Sequence, residues 1–481
     1  MDKILLVAFA AAGALGMDCR ATAFLEGSAD FTAPQGPLKR LNGINNAVYT
    51  TGRRAEQLVK RQQKLLSDLK LTTIRLHDSG GIGNKPYIDP CRIFPMHSKK
   101  ADTNDPDYYW FEPTDDYLDM VEACGAPDME IIGRLGPVFE FTYPKRYWGG
   151  APRDWDQFAE VSAGIMRHYL KGWGGGKVRN IRYWEIWNEP DLNGKTFWEL
   201  PVEDFFPFYC KVAKRLRREF GSPDVKIGGP AFANVKIDLF EKFLSYCRKE
   251  RAPIDFFTFH TYLRDYDLSY GDLKIDFVAV KALLAKYGYG SAEIHLNEWR
   301  YYPCPDWKVI HTPEGNKRWF GTAPDGMHGI DAAAMTARCL TMWSATPLDQ
   351  AHFYTTHSYW SFLTNPLSEL TDYQPEAYPL GFFGEMFYAA PERVASSSSA
   401  RPLAVLASRG TDGRKRLLVS VFKGEAGARP RIRLNGVAAA GTAKVRFQTG
   451  RGVPAELSVG WKNGVLDLPA TSGSAVYFVE L

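Results

Sequence analysis

The 481-residue sequence has no basic run of the kind that suggests nucleic acid, no His-x-His pair, no His-Glu-x-x-His and no cysteines at zinc-binding spacing. Its 59 Lys and Arg against 55 Asp and Glu leave a formal charge of +4, so no nucleic-acid or polyanion partner is implied. A metal-dependent barrel hydrolase would want clustered histidines, and the nine present are scattered. Gly80-Gly81-Ile82-Gly83 lacks the full glycine spacing of a phosphate or dinucleotide loop. No cofactor and no metal are expected.

Long apolar runs are also scarce. One stands at the start, Ile4 to Met17 behind Lys3, with the small residues Ala21-Thr22-Ala23 after it. It is shorter than the roughly 20 residues that cross a bilayer, and residues 1–23 are read as a cleavable signal peptide. The mature chain is then expected to be exported, secreted or periplasmic, without a membrane span. Gly16-Met17-Asp18 before Cys19 matches a lipidation box poorly, so no lipid anchor is expected there. Of seven cysteines, Cys91, Cys124, Cys210, Cys247, Cys304 and Cys339 are widely spaced. Buried free thiols are expected for most; one disulfide is compatible with export, but its pairing is not legible.

With 45% hydrophobic and 14% aromatic residues, the chain can bury one large core and a smaller one. Apolar strand candidates are Leu41–Ala47, Thr72–Asp78, Met129–Gly136, Ile181–Glu189, Val225–Ala231, Asp255–Tyr262, Glu293–Tyr301 and Ala351–His357. Amphipathic helical patterns alternate with them, which predicts a closed (β/α)8 TIM barrel over residues 41–393; periodicity alone also fits a doubly wound open sheet. The segments 77–111, 136–153 and 301–327 read as long loops at strand C-terminal ends, where barrels of this kind build their sites.

Residues 395–400 read as a loop-like break. Beyond it, short strands with turns at Asp412-Gly413, Asn435-Gly436 and Asn463-Gly464 predict a small antiparallel β-sandwich over 394–481. A structural domain packed on the barrel is preferred for it over a carbohydrate-binding module. Residues 24–40 are an N-terminal segment that can pair with it.

Two strands end in carboxylates, Tyr183-Trp184-Glu185-Ile186-Trp187-Asn188-Glu189-Pro190 and Glu293-Ile294-His295-Leu296-Asn297-Glu298-Trp299. Pro190 should hold Glu189 extended, while Asn188 and Glu189 can serve one site only if the pleat breaks there. On the fourth and seventh strands of a closed barrel, Glu189 and Glu298 face each other over the mouth. Two carboxylates about 5 Å apart are the apparatus of a retaining glycosidase.

Arg75 and His77 share a face of the second strand, and Thr258, His260 and Tyr262 a face of the sixth. Arg75 and Tyr262 are expected to keep Glu298 ionised, leaving Glu189 with the raised pKa. Asn188 is placed for a sugar hydroxyl, and His77 for substrate contact or a structural role. Among the loop aromatics Tyr143, Trp148, Trp198, Tyr301, Trp307, Trp319 and Trp360, Trp360 is the chosen platform for a sugar face.

Arg75-Leu76-His77, Trp187-Asn188-Glu189-Pro190, His260-Thr261-Tyr262 and Asn297-Glu298-Trp299 together resemble clan A glycoside hydrolases, most closely glycoside hydrolase family 39, the family of β-xylosidases and α-L-iduronidases. The resemblance runs from about Leu41 to Pro391. It implies Glu189 as acid/base, Glu298 as nucleophile, Asn188 as hydroxyl ligand and Tyr262 as orienter of the nucleophile. Asn297 departs from the family, which often carries Thr there. Arg300 can be read as a ligand for a uronic carboxylate or as a loop salt bridge. With Leu263-Arg264 and no lysine after Tyr262, a neutral sugar is preferred, β-xylosidase-like, over a uronic-acid substrate. The alternative from another class is a non-catalytic carbohydrate-binding protein on a glycosidase scaffold.

Overall fold

The computed structural model describes residues 23–48, 55–77, 88–95, 100–126, 128–136, 150–192, 197–221, 223–264, 275–310, 312–321, 323–356, 360–365, 368, 370–399 and 401–481. The leader reading, Cys19, Gly80 to Gly83, Tyr143 and Trp148 lie outside these residues, as does the side chain of Trp307.

After an opening strand β1 (Phe24–Pro37), eight parallel strands close a barrel. They are β2 (Arg40–Asn45), β3 (Thr73–Arg75), β4 (Glu130–Leu135), β5 (Tyr183–Ile186), β6 (Lys226–Phe232), β7 (Phe256–Leu263), β8 (Glu293–Tyr301) and β9 (Gln350–Phe353), paired in sequence order with β9 returning to β2. Each is followed by a main helix: α1 (Ala55–Asp68), α2 (Glu112–Glu122), α3 (Trp155–Lys171), α4 (Val202–Glu219), α5 (Ile237–Glu250), α6 (Phe277–Lys286), α7 (Ile330–Trp343) and α8 (Ala377–Ala389). Closure settles the choice against an open sheet. The strands are buried almost throughout because helices cover one face and the barrel interior the other. Local signals bound the helices: Asp154 caps α3 by accepting from the N–H groups of Asp156 and Gln157, and Gly172 ends it at φ 72°.

The large apolar core lies between strands and helices, whereas the barrel axis is polar over most of its height. At its lower end Ile132, Tyr183 and Phe256 cluster, with His295 stacked on Phe256 at 4.8 Å. Above them Thr73 Oγ1 lies 3.0 Å from His352 Nε2. Higher still, Arg75, Asn45, Glu185 and Asn297 form one hydrogen-bonded group.

The remaining strands are β10 (Glu392–Ser398), β11 (Leu403–Arg409), β12 (Lys415–Val421), β13 (Arg429–Asn435), β14 (Ala440–Gln448), β15 (Ala455–Lys462), β16 (Val465–Asp467) and β17 (Ala475–Glu480). With β1 they form a nine-stranded, mostly antiparallel sheet that closes on itself around its own apolar core. β1 is no edge strand: it pairs antiparallel with β10 and parallel with β13, which completes the closure. Residues 395–398, read from their serines as a break, are strand, because β10 is held by backbone pairing with 27–30 and little of it is buried.

Asp412-Gly413 and Asn463-Gly464 join antiparallel neighbours, with Asn463 and Gly464 at φ 52° and 67°. Asn435-Gly436 does not make a hairpin, since β13 bonds to β16 and β1 and not to β14. This sheet is seated on α7 and α8: Ser420 Oγ donates to Ala334 O at 2.6 Å, Arg446 binds Glu385 with two bonds of 2.8 and 2.6 Å, and Phe382 stacks on Phe478 at 5.0 Å.

Close strand contact at β6 depends on Gly228, where a Cβ would lie 2.2 Å from Phe256 O and 2.6 Å from its ring. Gly228→Ala must push β6 from β7, and a loss of about 1–3 kcal/mol is expected in a denaturant melt. An unchanged midpoint would contradict this packing.

Candidate active site

β5 stops at Ile186, and the chain then leaves the extended region, with Trp187 at φ 76° and Glu189 at φ 46°. The expected break in the pleat is present. The expectation of an extended Glu189 is not met: proline disfavours the right-handed helical region for its predecessor, and the chain takes the left-handed one. Glu189 N–H donates to Ala231 O at 2.8 Å, and Asp191 accepts from Ala233 N–H at 2.7 Å, which ties this turn to the end of β6.

On the opposite side, the pairing of β7 with β8 shifts register after Phe259 and Leu296, so that His260 faces Glu298 and Asn297 is the extra residue. Such a bulge re-aims side chains. Asn297 points to Glu185 on the barrel axis, while Glu298 points to the mouth.

There the two carboxylates meet. Glu189, His260 and Glu298 present ligand atoms that all lie within 4.8 Å of one another. His260 Nδ1 is 2.8 Å from Glu189 Oε1, and Tyr262 OH donates to Glu298 Oε1. Glu298 Oε2 has no hydrogen-bond donor at bonding distance among the described residues; Arg75 Nη1 and His77 Nε2 stand 3.5 Å away and His260 Nδ1 3.6 Å. Asn188 is buried and accepts from Arg75 Nη2 at 2.7 Å, and its Nδ2 amide group has no partner among the described residues. Thr258 supports the end of β6 by accepting from Ala231 N–H at 2.8 Å. The carboxylate–imidazole trio is also where a cation could bind, although tetrahedral zinc ligands sit only about 3.3 Å apart.

Arg75 is committed mainly to Glu185, with Nε to Oε2 at 2.7 Å and both side chains fully buried. Glu185 was not singled out from the sequence. Its signal was a charge in the middle of an otherwise apolar strand, a position that demands a buried partner.

Burial pushes the Glu298 carboxyl up to about 7, helped by the charge of Glu189 and opposed by His260, Arg75 and Tyr262. This corrects the expectation that Arg75 and Tyr262 hold it ionised, because a guanidinium shared with Glu185 does not outweigh desolvation. Burial also lowers His260 to about 4, so this imidazole is neutral at pH 7, and raises the Tyr262 phenol well above its usual range, keeping it a donor.

Trp360 is 7% exposed and stacks on Tyr302 at 5.9 Å, with Tyr262, Phe320 and Tyr354 at its edges. It therefore packs behind Tyr262 and offers little open face to a sugar. Trp198 and Tyr301 are buried in the core. Arg300 is a buried salt-bridge residue, donating to Glu376 at 2.6 Å and to the carbonyls of Tyr354 and Trp360.

A carboxyl whose pKa is raised in the folded state stabilises fully below its unfolded value and loses that contribution as the pH rises through about 7. Glu298→Gln cannot ionise. Its stability relative to wild type should therefore increase between about pH 5 and pH 8, by on the order of 1–3 kcal/mol. A pH-independent difference in melting temperature would refute the buried-carboxyl assignment.

A family model described as Glycosyl hydrolases family 39 matches residues 96–285. A β-xylosidase of Geobacillus stearothermophilus is 22% identical over 36% of this chain and 43% of its own, and one of Caldicellulosiruptor saccharolyticus is 30% identical over 30% of this chain and 26% of its own. The matched region thus spans less than half the length of these relatives. In three dimensions the chain is similar to a glucosidase from Croceicoccus marinus, with a TM-score of 0.69 and 20% identity over 95% of this chain and 99% of that one. The family model and the β-xylosidase relatives agree: over residues 96–285 the chain is similar to glycosyl hydrolases family 39.

Proposed function

We propose that this protein is a retaining glycoside hydrolase of β-xylosidase-like specificity, exported from the cell, with Glu298 as nucleophile and Glu189 as general acid/base. The observation that carries the reading is the convergence of two strand-end carboxylates with oxygens within 4.8 Å. That spacing suits direct attack by one carboxylate; inverting enzymes keep theirs roughly 6.5–9.5 Å apart to admit a water. The relatives named as β-xylosidases support the choice of sugar.

The role assignment follows from what each carboxylate touches. Among the described residues no donor bonds Glu298 Oε2 while Tyr262 holds Oε1, so one oxygen is oriented and the other is open for attack. Glu189 is bonded to a neutral imidazole. Neutral His260 can accept a hydrogen bond from protonated Glu189 or, in its other tautomer, donate to ionised Glu189, which suits a group that gives up a proton and then recovers it. Asn188, held by Arg75, has its Nδ2 amide available for the hydroxyl beside the reacting carbon.

A neutral sugar is favoured because Arg300 is taken up by Glu376 and no lysine directly follows Tyr262. Export rests on the apolar N-terminal run alone.

Hydrolysis of aryl glycosides tests the proposal. Turnover of the β-xyloside should fall by at least about 10³-fold in Glu298→Ala, and azide should restore it as a glycosyl azide of inverted anomer. Absence of turnover on aryl glycosides and polysaccharides by the folded wild type would favour a non-catalytic carbohydrate-binding protein.

The proton distribution can be read separately. Glu189→Gln removes a charge that raises Glu298, so inactivation by a 2-deoxy-2-fluoro glycoside should keep its rate to lower pH than in wild type. A limb that stays in place or moves to higher pH would argue against the coupling.

A further inference from the structure

Cys210 on α4 and Cys247 on α5 lie side by side, Sγ to Sγ 3.7 Å, in the layer where these two neighbouring helices pack. Both are buried, on facing sides of helices that follow β5 and β6. Of the other described cysteines, Cys124 donates to Met120 O and Cys304 to Asp306 O.

We infer that Cys210 and Cys247 are a disulfide site, joined when the chain folds in the presence of a thiol oxidant. The two thiols give up two electrons and two protons, and the oxidant, a small-molecule or protein disulfide, is reduced to two thiols through a mixed disulfide. The sulfurs are in van der Waals contact, and a bond of about 2.05 Å requires them to close further. Burial pushes the Cys247 thiol well above its usual range in the folded chain. Exchange therefore belongs to folding, when the thiols are open to solvent, and the finished bond is shielded from reductants.

The location gives the cross-link a consequence. The segment it closes, 210–247, contains all of β6 and the turn at Ala231 whose carbonyl holds Glu189 N–H. Tying α4 to α5 restricts the unfolded chain and anchors both ends of that segment.

The test refolds the full chain in a glutathione redox buffer and, in parallel, in dithiothreitol, then alkylates free thiols under denaturing conditions and maps the peptides. Expected are a linked peptide pair containing Cys210 and Cys247, two fewer alkylated thiols per chain, and a melting temperature that drops by a few degrees on reduction. Cys247→Ser, or Cys247→Ala if the serine variant does not fold, should lose this dependence on reductant. Full alkylation of both cysteines in the oxidatively refolded chain, or a bond that joins other cysteines instead, overturns the assignment. If the chain does not refold, the same mapping on protein produced in an oxidising compartment gives the same two outcomes.

Discussion

Arg75 and Glu185 form an ion pair on the barrel axis with no exposure to solvent, and the groups above it take their positions from it. A charge pair this deep is costly to desolvate and tolerable only when its remaining donors and acceptors are filled. Here Asn45 and Asn188 accept from the guanidinium, and Asn297 donates to the carboxylate. Removing one partner would strand the other as an unpaired charge in a fully buried site, at a cost of roughly 3–5 kcal/mol. Strands β2, β3, β5 and β8 are thus pinned to one another at a single height, and two of them then run on to the carboxylates.

The departures from regular strand geometry lie directly above that layer. An extra residue at Asn297 lets consecutive side chains serve the axis and the mouth, and the left-handed turn through Trp187 and Glu189 brings the second carboxylate over the first. Such backbone conformations carry strain of order 1 kcal/mol each and persist where surrounding bonds over-determine them. The bonds from Glu189 N–H to Ala231 O and from Ala231 N–H to Thr258 Oγ1 do that here. The same enclosure that positions Glu298 also denies it solvent, so its orientation and its raised pKa share one cause.

Behind the nucleophile candidate a second buried group plays a comparable part. Arg300 bridges Glu376 to the backbone of Tyr354 and Trp360, and Trp360 in turn packs against Tyr262. The mouth is therefore braced from the β8 and β9 side through aromatic contact, which explains why an aromatic chosen as a sugar platform turns out to be a wall. The closed C-terminal sheet braces the outside, seated on α7 and α8 through Ser420, Arg446 and Phe478.

Strand count, strand order along the chain and the delivery of Glu189 and Glu298 to one end of the barrel were determined by sequence alone, because apolar periodicity and strand–helix alternation are local properties. The Asn463-Gly464 turn was legible for the same reason, its conformation being set by the two residues themselves. Tertiary structure decided what depends on partners far apart in the chain. That includes Arg75 choosing Glu185 over Glu298, Trp360 facing Tyr302, Ser-rich β10 becoming a strand against β1, and Cys210 meeting Cys247. It also set the protonation of the site, since desolvation is a property of everything packed around a carboxyl, and no reading of neighbouring residues along the chain can sum it.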